Sequence, residues 1–153
     1  MRPAAPQRFA IAAARFNEPV VAELLAGARD GFAAHGIAAE QLTVIRVPGA
    51  FELPLAAKRL AACGRYRAVL ALGAVIRGET AHFDHVAASA ASGLTRVALD
   101  TDVPVIFGVL TCDTLDQALA RAARRQGNKG FEMALAALEM SEVIDRLATG
   151  EAR

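Results

Sequence analysis

Residues Gly73-Ala-Val-Ile-Arg-Gly-Glu-Thr-Ala-His-Phe-Asp84 hold the densest set of groups able to do chemistry. An apolar run gives way to a glycine-containing turn, and a helical pattern starts within a few residues. Backbone N–H groups at such a helix start have no partner inside the helix and carry partial positive charge, so they suit a phosphate. Thr80, beside Glu79, adds a hydroxyl donor, and Gly78 permits close backbone approach. The same residues serve equally well as an ordinary turn and cap, with Thr80 only closing the helix. His82 stands at the helix start, and imidazole is the side chain that moves protons near neutral pH. A histidine there is also commonly a plain surface or core group. His85, three residues on, shares the helix face with His82, but no third ligand completes a metal set and no metal is expected.

Three further segments carry functional groups. Val47-Pro-Gly-Ala-Phe-Glu-Leu-Pro54 leaves a strand through a turn stiffened by two prolines. That turn can present the Ala50 and Phe51 backbone groups, with Glu52 placed to accept hydroxyl donors from a polyol. It reads as readily as an ordinary turn with Glu52 in a favourable first helical turn. Phe16-Asn17 offers a flat ring and an amide suited to a planar heterocycle, although Phe16 fits a core position as well. Gln126-Gly-Asn-Lys-Gly130, preceded by Arg121, Arg124 and Arg125, is a cationic cluster at a helix break; solvated basic faces are the commoner outcome.

The elements that must position these groups alternate between strand and helix patterns. Strands are predicted over Phe9–Ala14, Leu42–Val47, Ala68–Ile76 and Val105–Leu110. Helices are predicted from Pro19 to about Gly36, Leu53 to Cys63, about Ala81 to Leu99, Thr114 to Arg125 and Lys129 to Leu147. Ala68–Ile76 is the most continuous apolar run, as a strand covered on both faces requires. Such alternation implies parallel strands with right-handed crossovers. The expected architecture is an α/β, three-layer α/β/α sandwich on a four-stranded parallel sheet, flavodoxin-like with order 2-1-3-4. Ligands of such sheets bind beyond the carboxyl ends of the strands, which marks segments 15–17, 47–52, 75–82 and 111–114.

The 153 residues suffice for a single domain, residues 1–153, with 1–7 expected as a flexible arm and 148–153 as a frayed tail. A formal charge of +1 argues against a nucleic-acid or anionic-membrane binder, whose field should be strongly one-signed. Cys63 and Cys112 are too few for a disulfide scaffold, and both read as buried thiols. No signal-peptide pattern or membrane-length apolar run is present, so a soluble cytoplasmic protein is expected. A mean hydropathy of +0.32 with 54% hydrophobic residues leaves apolar surface for a subunit contact, and an oligomer is expected.

Taken singly, none of these segments is decisive; in order they are specific. Arg15-Phe16-Asn17, Val47–Pro54, Gly73–His82, Pro104-Val-Ile-Phe-Gly-Val-Leu-Thr111 and Gly127-Asn-Lys-Gly130 together resemble the 6,7-dimethyl-8-ribityllumazine synthase family. The resemblance spans about residues 8 to 147. It implies a transferase-type condensing enzyme of riboflavin biosynthesis. Such an enzyme joins 5-amino-6-(D-ribitylamino)uracil to 3,4-dihydroxy-2-butanone 4-phosphate, releasing phosphate and water with no metal or organic cofactor.

By the same resemblance, Phe16, with Asn17 beside it, would stack on the pyrimidinedione. Ala50, Phe51 and Glu52 would hold the ribityl chain, and Ala74, Val75 and Ile76 would meet the ring edge through their backbone. Glu79 and Thr80 would receive the phosphate, and His82 would shuttle protons. Sites of the family lie between subunits, so Phe107, Arg121 and Lys129 would come from a neighbouring chain, Arg121 against the phosphate and Lys129 near the ring. Between Arg121 and Gly127 the chain reads Ala-Ala-Arg-Arg-Gln, unlike the Gly-Thr-Lys-Ala-type break of capsid-forming members. The expected assembly is therefore a pentamer or a pair of pentamers, not a sixty-subunit shell. Association with a separate riboflavin synthase stays open. The competing reading is a flavodoxin-like flavin or nucleotide carrier without catalysis, which explains the fold but not the joint presence of His82, Arg121 and Lys129.

Overall fold

The chain forms four parallel strands, β1 (Phe9–Ala14), β2 (Leu42–Val47), β3 (Val69–Ile76) and β4 (Val105–Cys112), in a computed structural model that describes residues 6–123 and 127–150. Five helices accompany them: α1 (Glu18–Ala34), α2 (Leu53–Ala62), α3 (His82–Thr101), α4 (Leu115–Ala122) and α5 (Lys129–Thr149). The sheet order is β2-β1-β3-β4 with every pairing parallel. The expected three-layer α/β/α sandwich is therefore the observed one.

Alternation along each strand separates two cores, because successive side chains of a strand point to opposite faces. Phe9, Ile11 and Ala13 of β1 join Leu70 and Leu72 of β3 against α1, α4 and α5. Ala10, Ala12 and Ala14 join Val69, Ala71 and Val75 against α2 and α3. The inner strands β1 and β3 are covered on both sides and are almost wholly buried. The edge strands β2 and β4 are mixed, with Ile45 and Phe107 exposed.

α1 turns its Val20, Val21, Leu24, Ala28 and Phe32 stripe onto the sheet, and the Phe32 ring lies 5.2 Å from that of Phe9. On its other side α1 meets α5 through very small residues. A Cβ built on Gly130 would sit 1.9 Å from the Leu24 carbonyl oxygen, and one on Gly31 would sit 2.9 Å from the Ala134 methyl group. The high alanine and glycine content thus brings helix backbones to near contact.

Element ends differ from expectation where hydrogen bonds reach beyond the apolar pattern. β4 continues through Thr111 and Cys112, which pair with Val75 and Ile76; an edge strand tolerates the polar Thr111. α3 continues to Thr101, where left-handed Asp102 closes it by donating its N–H to the Ala98 carbonyl. α4 stops at Ala122, not Arg125: Ala123 is extended, and the Asn128 side chain donates to the Ala122 carbonyl at 2.7 Å. Arg124, Arg125 and Gln126 lie outside the described residues, as do 1–5 and 151–153. The tail expected from residue 148 is helical to Thr149 and closes at Gly150, whose N–H reaches the Arg146 and Leu147 carbonyls. Of the expected arm, the Gln7 carbonyl is held by the Gln41 side chain. Cys112 is buried as expected, but Cys63, at the end of α2, is exposed. Among the described residues no helix is long and apolar enough to cross a membrane.

The closeness of α1 to α5 makes Gly130 irreplaceable. Gly130→Ala should destabilise the fold by about 3 kcal/mol, since a backbone carbonyl cannot move aside as a side-chain end can. Chemical denaturation of the two proteins checks this, and an unchanged midpoint would refute it.

Candidate functional site

The chain passes from β1 out to β2 and then back across to β3 on the other side of β1, with α1 and α2 on opposite faces. Neither crossover covers the carboxyl ends of β1 and β3, so a crevice opens there. Three turns meet at it.

The first turn leaves β1 at Arg15. Its backbone is fastened to the end of β2: the Arg15 N–H donates to the Val47 carbonyl at 2.7 Å and the Phe16 N–H to the Pro48 carbonyl at 2.9 Å. Arg46 adds a second tie, donating to the Ala13 and Ala14 carbonyls and pairing with Glu18. With its backbone held, Phe16 projects its ring 72% exposed, so it is no core residue. Asn17 takes a left-handed φ of 63°, which asparagine tolerates better than most residues. Its Nδ2 donates to the Ala74 carbonyl at 2.8 Å, bolting this turn to β3.

The second turn, Pro48–Glu52, ends in a 3₁₀ turn over Ala50–Glu52 that runs straight into α2. Ala50 is buried, while Phe51 and Glu52 face outward. In the third turn, Gly78–Ala81 are all exposed between β3 and α3. No side chain caps α3; the Thr80 hydroxyl accepts from the His82 N–H at 3.3 Å, and the Ala81 carbonyl accepts from Asp84 and His85.

The turns enclose two adjoining cavities. The larger, about 600 Å³, is lined by Phe16, Pro48–Glu52, His82, His85 and Val86. The smaller, about 150 Å³, lies deeper between Asn17, Ala74–Ile76, Gly78, Thr80 and Phe83. Phe16, Ala50, His82 and Val86 line both, so the two adjoin. An exposed ring, a carboxylate, two imidazoles and a helix start thus share one space, enough to stack a flat heterocycle, hold hydroxyls and move a proton beside an anion. Among the described residues, no group of three or more His, Cys, Asp or Glu side chains is arranged to hold a metal ion.

Ten of the residues expected from sequence line these cavities: Phe16, Asn17, Ala50, Phe51, Glu52, Ala74, Val75, Ile76, Thr80 and His82. Glu79 is exposed on the turn and lines neither. Phe107, Arg121 and Lys129 are elsewhere in the same chain. Phe107 stands exposed on the edge strand, Arg121 donates to the Cys112 sulfur at 3.0 Å, and Lys129 pairs with Glu132 at 3.1 Å. The Gly127–Gly130 break has a structural duty: buried Asn128 donates to the Glu23 and Ala122 carbonyls and accepts from the Phe131 N–H, capping α5. His85 and Val86 were not among the expected site residues, yet they line the larger cavity; their spacing of three and four from His82 was the available signal. Gly78 was read from sequence as allowing close backbone approach, whereas Phe83 carried no such signal, because a ring beside a turn has too many ordinary uses.

The sequence model of one family, 6,7-dimethyl-8-ribityllumazine synthase, matches residues 6–145, nearly the whole chain.

Asn17 couples backbone conformation to site geometry. Asn17→Ala should cost about 2 kcal/mol, from the lost bond to Ala74 and the strained left-handed backbone, and Asn17→Gly about half as much. Equal costs in denaturant titrations would show that the backbone conformation contributes nothing.

Proposed function

This chain belongs to the 6,7-dimethyl-8-ribityllumazine synthase family, and from that membership we propose how its two adjoining cavities divide the work. Its function is to condense 5-amino-6-(D-ribitylamino)uracil with 3,4-dihydroxy-2-butanone 4-phosphate, releasing phosphate and water. The observation that supports the assignment of residues is that Phe16 and His82 line both cavities.

In this reading the exposed Phe16 ring stacks on the pyrimidinedione, whose edge meets the backbone of Ala74, Val75 and Ile76. The Ala74 carbonyl already accepts one hydrogen bond from Asn17, so Asn17 serves the site by aiming that strand end. The ribityl chain lies along Ala50, Phe51 and Glu52, with the Glu52 carboxylate accepting from hydroxyls. The phosphate sits at the start of α3, where Thr80 donates and Glu79 offers its backbone. His82, at the junction, takes and returns protons as the amine attacks the ketone, water leaves and phosphate departs. Holding both substrates side by side removes much of the entropy cost of their encounter.

The cavities have one conspicuous deficit: among the described residues no lysine or arginine lines either, although one substrate is a phosphate. Charge-assisted contacts are the strong ones for such a group. We assign them to a neighbouring chain, with Arg121 facing the phosphate, Lys129 the ring edge, and Phe107 closing the apolar side. Leu99, Leu115 and Leu119 are exposed and supply apolar surface for such a contact. A closed pentamer, single or paired, fits a site shared between adjacent copies.

His82→Ala should lower kcat by about a hundredfold without abolishing turnover, the scale of general acid–base help. Arg121→Ala should raise KM for the phosphate substrate about tenfold with little change in kcat. Steady-state kinetics test both, and wild-type parameters in either variant would remove that residue's role. Light scattering should give five or ten chains per particle; a mass near sixty chains would overturn the assembly.

A further inference from the structure

The turn that carries Thr80 and leads into His82 has little to hold it. Gly78, Glu79, Thr80 and Ala81 are exposed, nothing lies within 4 Å of where a Gly78 Cβ would stand, and α3 has no side-chain cap. Catalytic positioning requires such a segment to be fixed by neighbours. One side chain spans it from end to end. Arg77 leaves β3 just before the turn, and its guanidinium lies over the Phe83 ring, 4.6 Å from the centroid, just after it. The same guanidinium stands 3.9 Å from the Asp84 carboxylate and donates through Nε to Asp113 at 2.8 Å.

Asp113 is itself well seated. Its N–H donates to the Gln117 side chain at 2.9 Å, and Thr114 beside it caps α4. The Arg77 N–H also donates to the Cys112 carbonyl, so backbone and side chain are both tied to the end of β4. Phe83 is half-buried, lines the deeper cavity and packs into the α2–α3 core.

We propose that Arg77 is a positioning residue for the phosphate turn: a staple that fixes residues 78–82 by tying the first turn of α3 to the β4–α4 junction through Asp113. This deepens the proposed function and rests on the reading of that turn as the phosphate site. Two carboxylates already engage the Arg77 charge and it lines neither cavity, so it acts through the turn and not on substrate. A single exposed ion pair would be worth little, but a planar fork shared by two carboxylates and a ring holds one orientation.

The test is steady-state kinetics with inorganic phosphate as the inhibitor, on wild type, Arg77→Met, Arg77→Lys and Asp113→Asn, with a thermal midpoint for each. Arg77→Met should raise KM for the phosphate substrate and the phosphate inhibition constant together, by about tenfold, and leave KM for the ribitylaminouracil within about twofold. Arg77→Lys, which keeps charge without the fork, should recover part of the loss. Asp113→Asn keeps Arg77 and loosens its anchor, so it should move the same two constants in the same direction, and it decides the matter alone if Arg77→Met does not fold. Unchanged phosphate constants in Asp113→Asn, or equal rises in both KM values with a lower thermal midpoint, would overturn the staple. An active wild type that inorganic phosphate does not inhibit would instead remove the turn as the phosphate site, and the staple with it.

Discussion

Everything in the site depends on the reversal of the chain at β1. After β1 the polypeptide steps outward to β2 with α1 on one face, then returns past β1 to β3 with α2 on the other. Right-handed crossovers in opposite directions must use opposite faces, so the carboxyl ends of β1 and β3 are left uncovered between them. The cavity is a consequence of that topology and not of any one side chain. Most residues reach it because they end or closely follow β1, β2 or β3, and the rest stand on the first turns of α3.

Short turns at a switch point still have to be held still. Here the fastening is mostly main chain: Arg15 and Phe16 on the end of β2, Asn17 on the end of β3, Arg77 on the end of β4. The chain leaving β1 is thereby tied to β2 and β3, and the chain leaving β3 to β4. Phe16 can then present a large, exposed ring without a core to seat it, because its own N–H is anchored. The turn ahead of α3 is the exception, since the bonds its own residues make, from the Thr80 hydroxyl and the Ala81 carbonyl, go to the helix start and not to another strand. There the fastening passes to a side chain, and Arg77 is built into the strand end to supply it.

The same frugality shapes the core. β1 is four-sixths alanine, and α1 meets α5 over Gly31, Gly130 and Ala134. Close backbone approach replaces large side chains, which leaves individual residues intolerant of added volume. It also leaves larger apolar groups, Leu99, Phe107, Leu115 and Leu119 among them, on the outside of the single chain. Among the described residues no lysine or arginine lines the cavities, and the proposed phosphate site is completed in our reading by a neighbouring copy.

Much of this was legible in the sequence. The strands and helices, the sheet order and the strand-end segments that hold most of the lining residues follow from local causes: period-two and period-3.6 patterns, turn residues at fixed offsets, and the rule that ligands gather beyond parallel strand ends. The ring-edge role of Ala74, Val75 and Ile76 came only with the family resemblance. What the sequence could not decide were relations across long separations. Arg77 and Asp113 lie 36 residues apart and meet only because β3 and β4 pair in register to Ile76 and Cys112. Asn128 looked like part of a cationic ligand loop, but the fold buries it as the cap of α5 and the clasp on α4. Cys63 looked like a core thiol and is exposed, because the burial of a small residue depends on what packs over it. The sequence by itself determined which chemical groups stand at which strand end, since periodicity and turn propensity act between near neighbours. Only the tertiary structure decided which of them share a cavity and which are spent holding it, because those partnerships are set by strand register and helix packing.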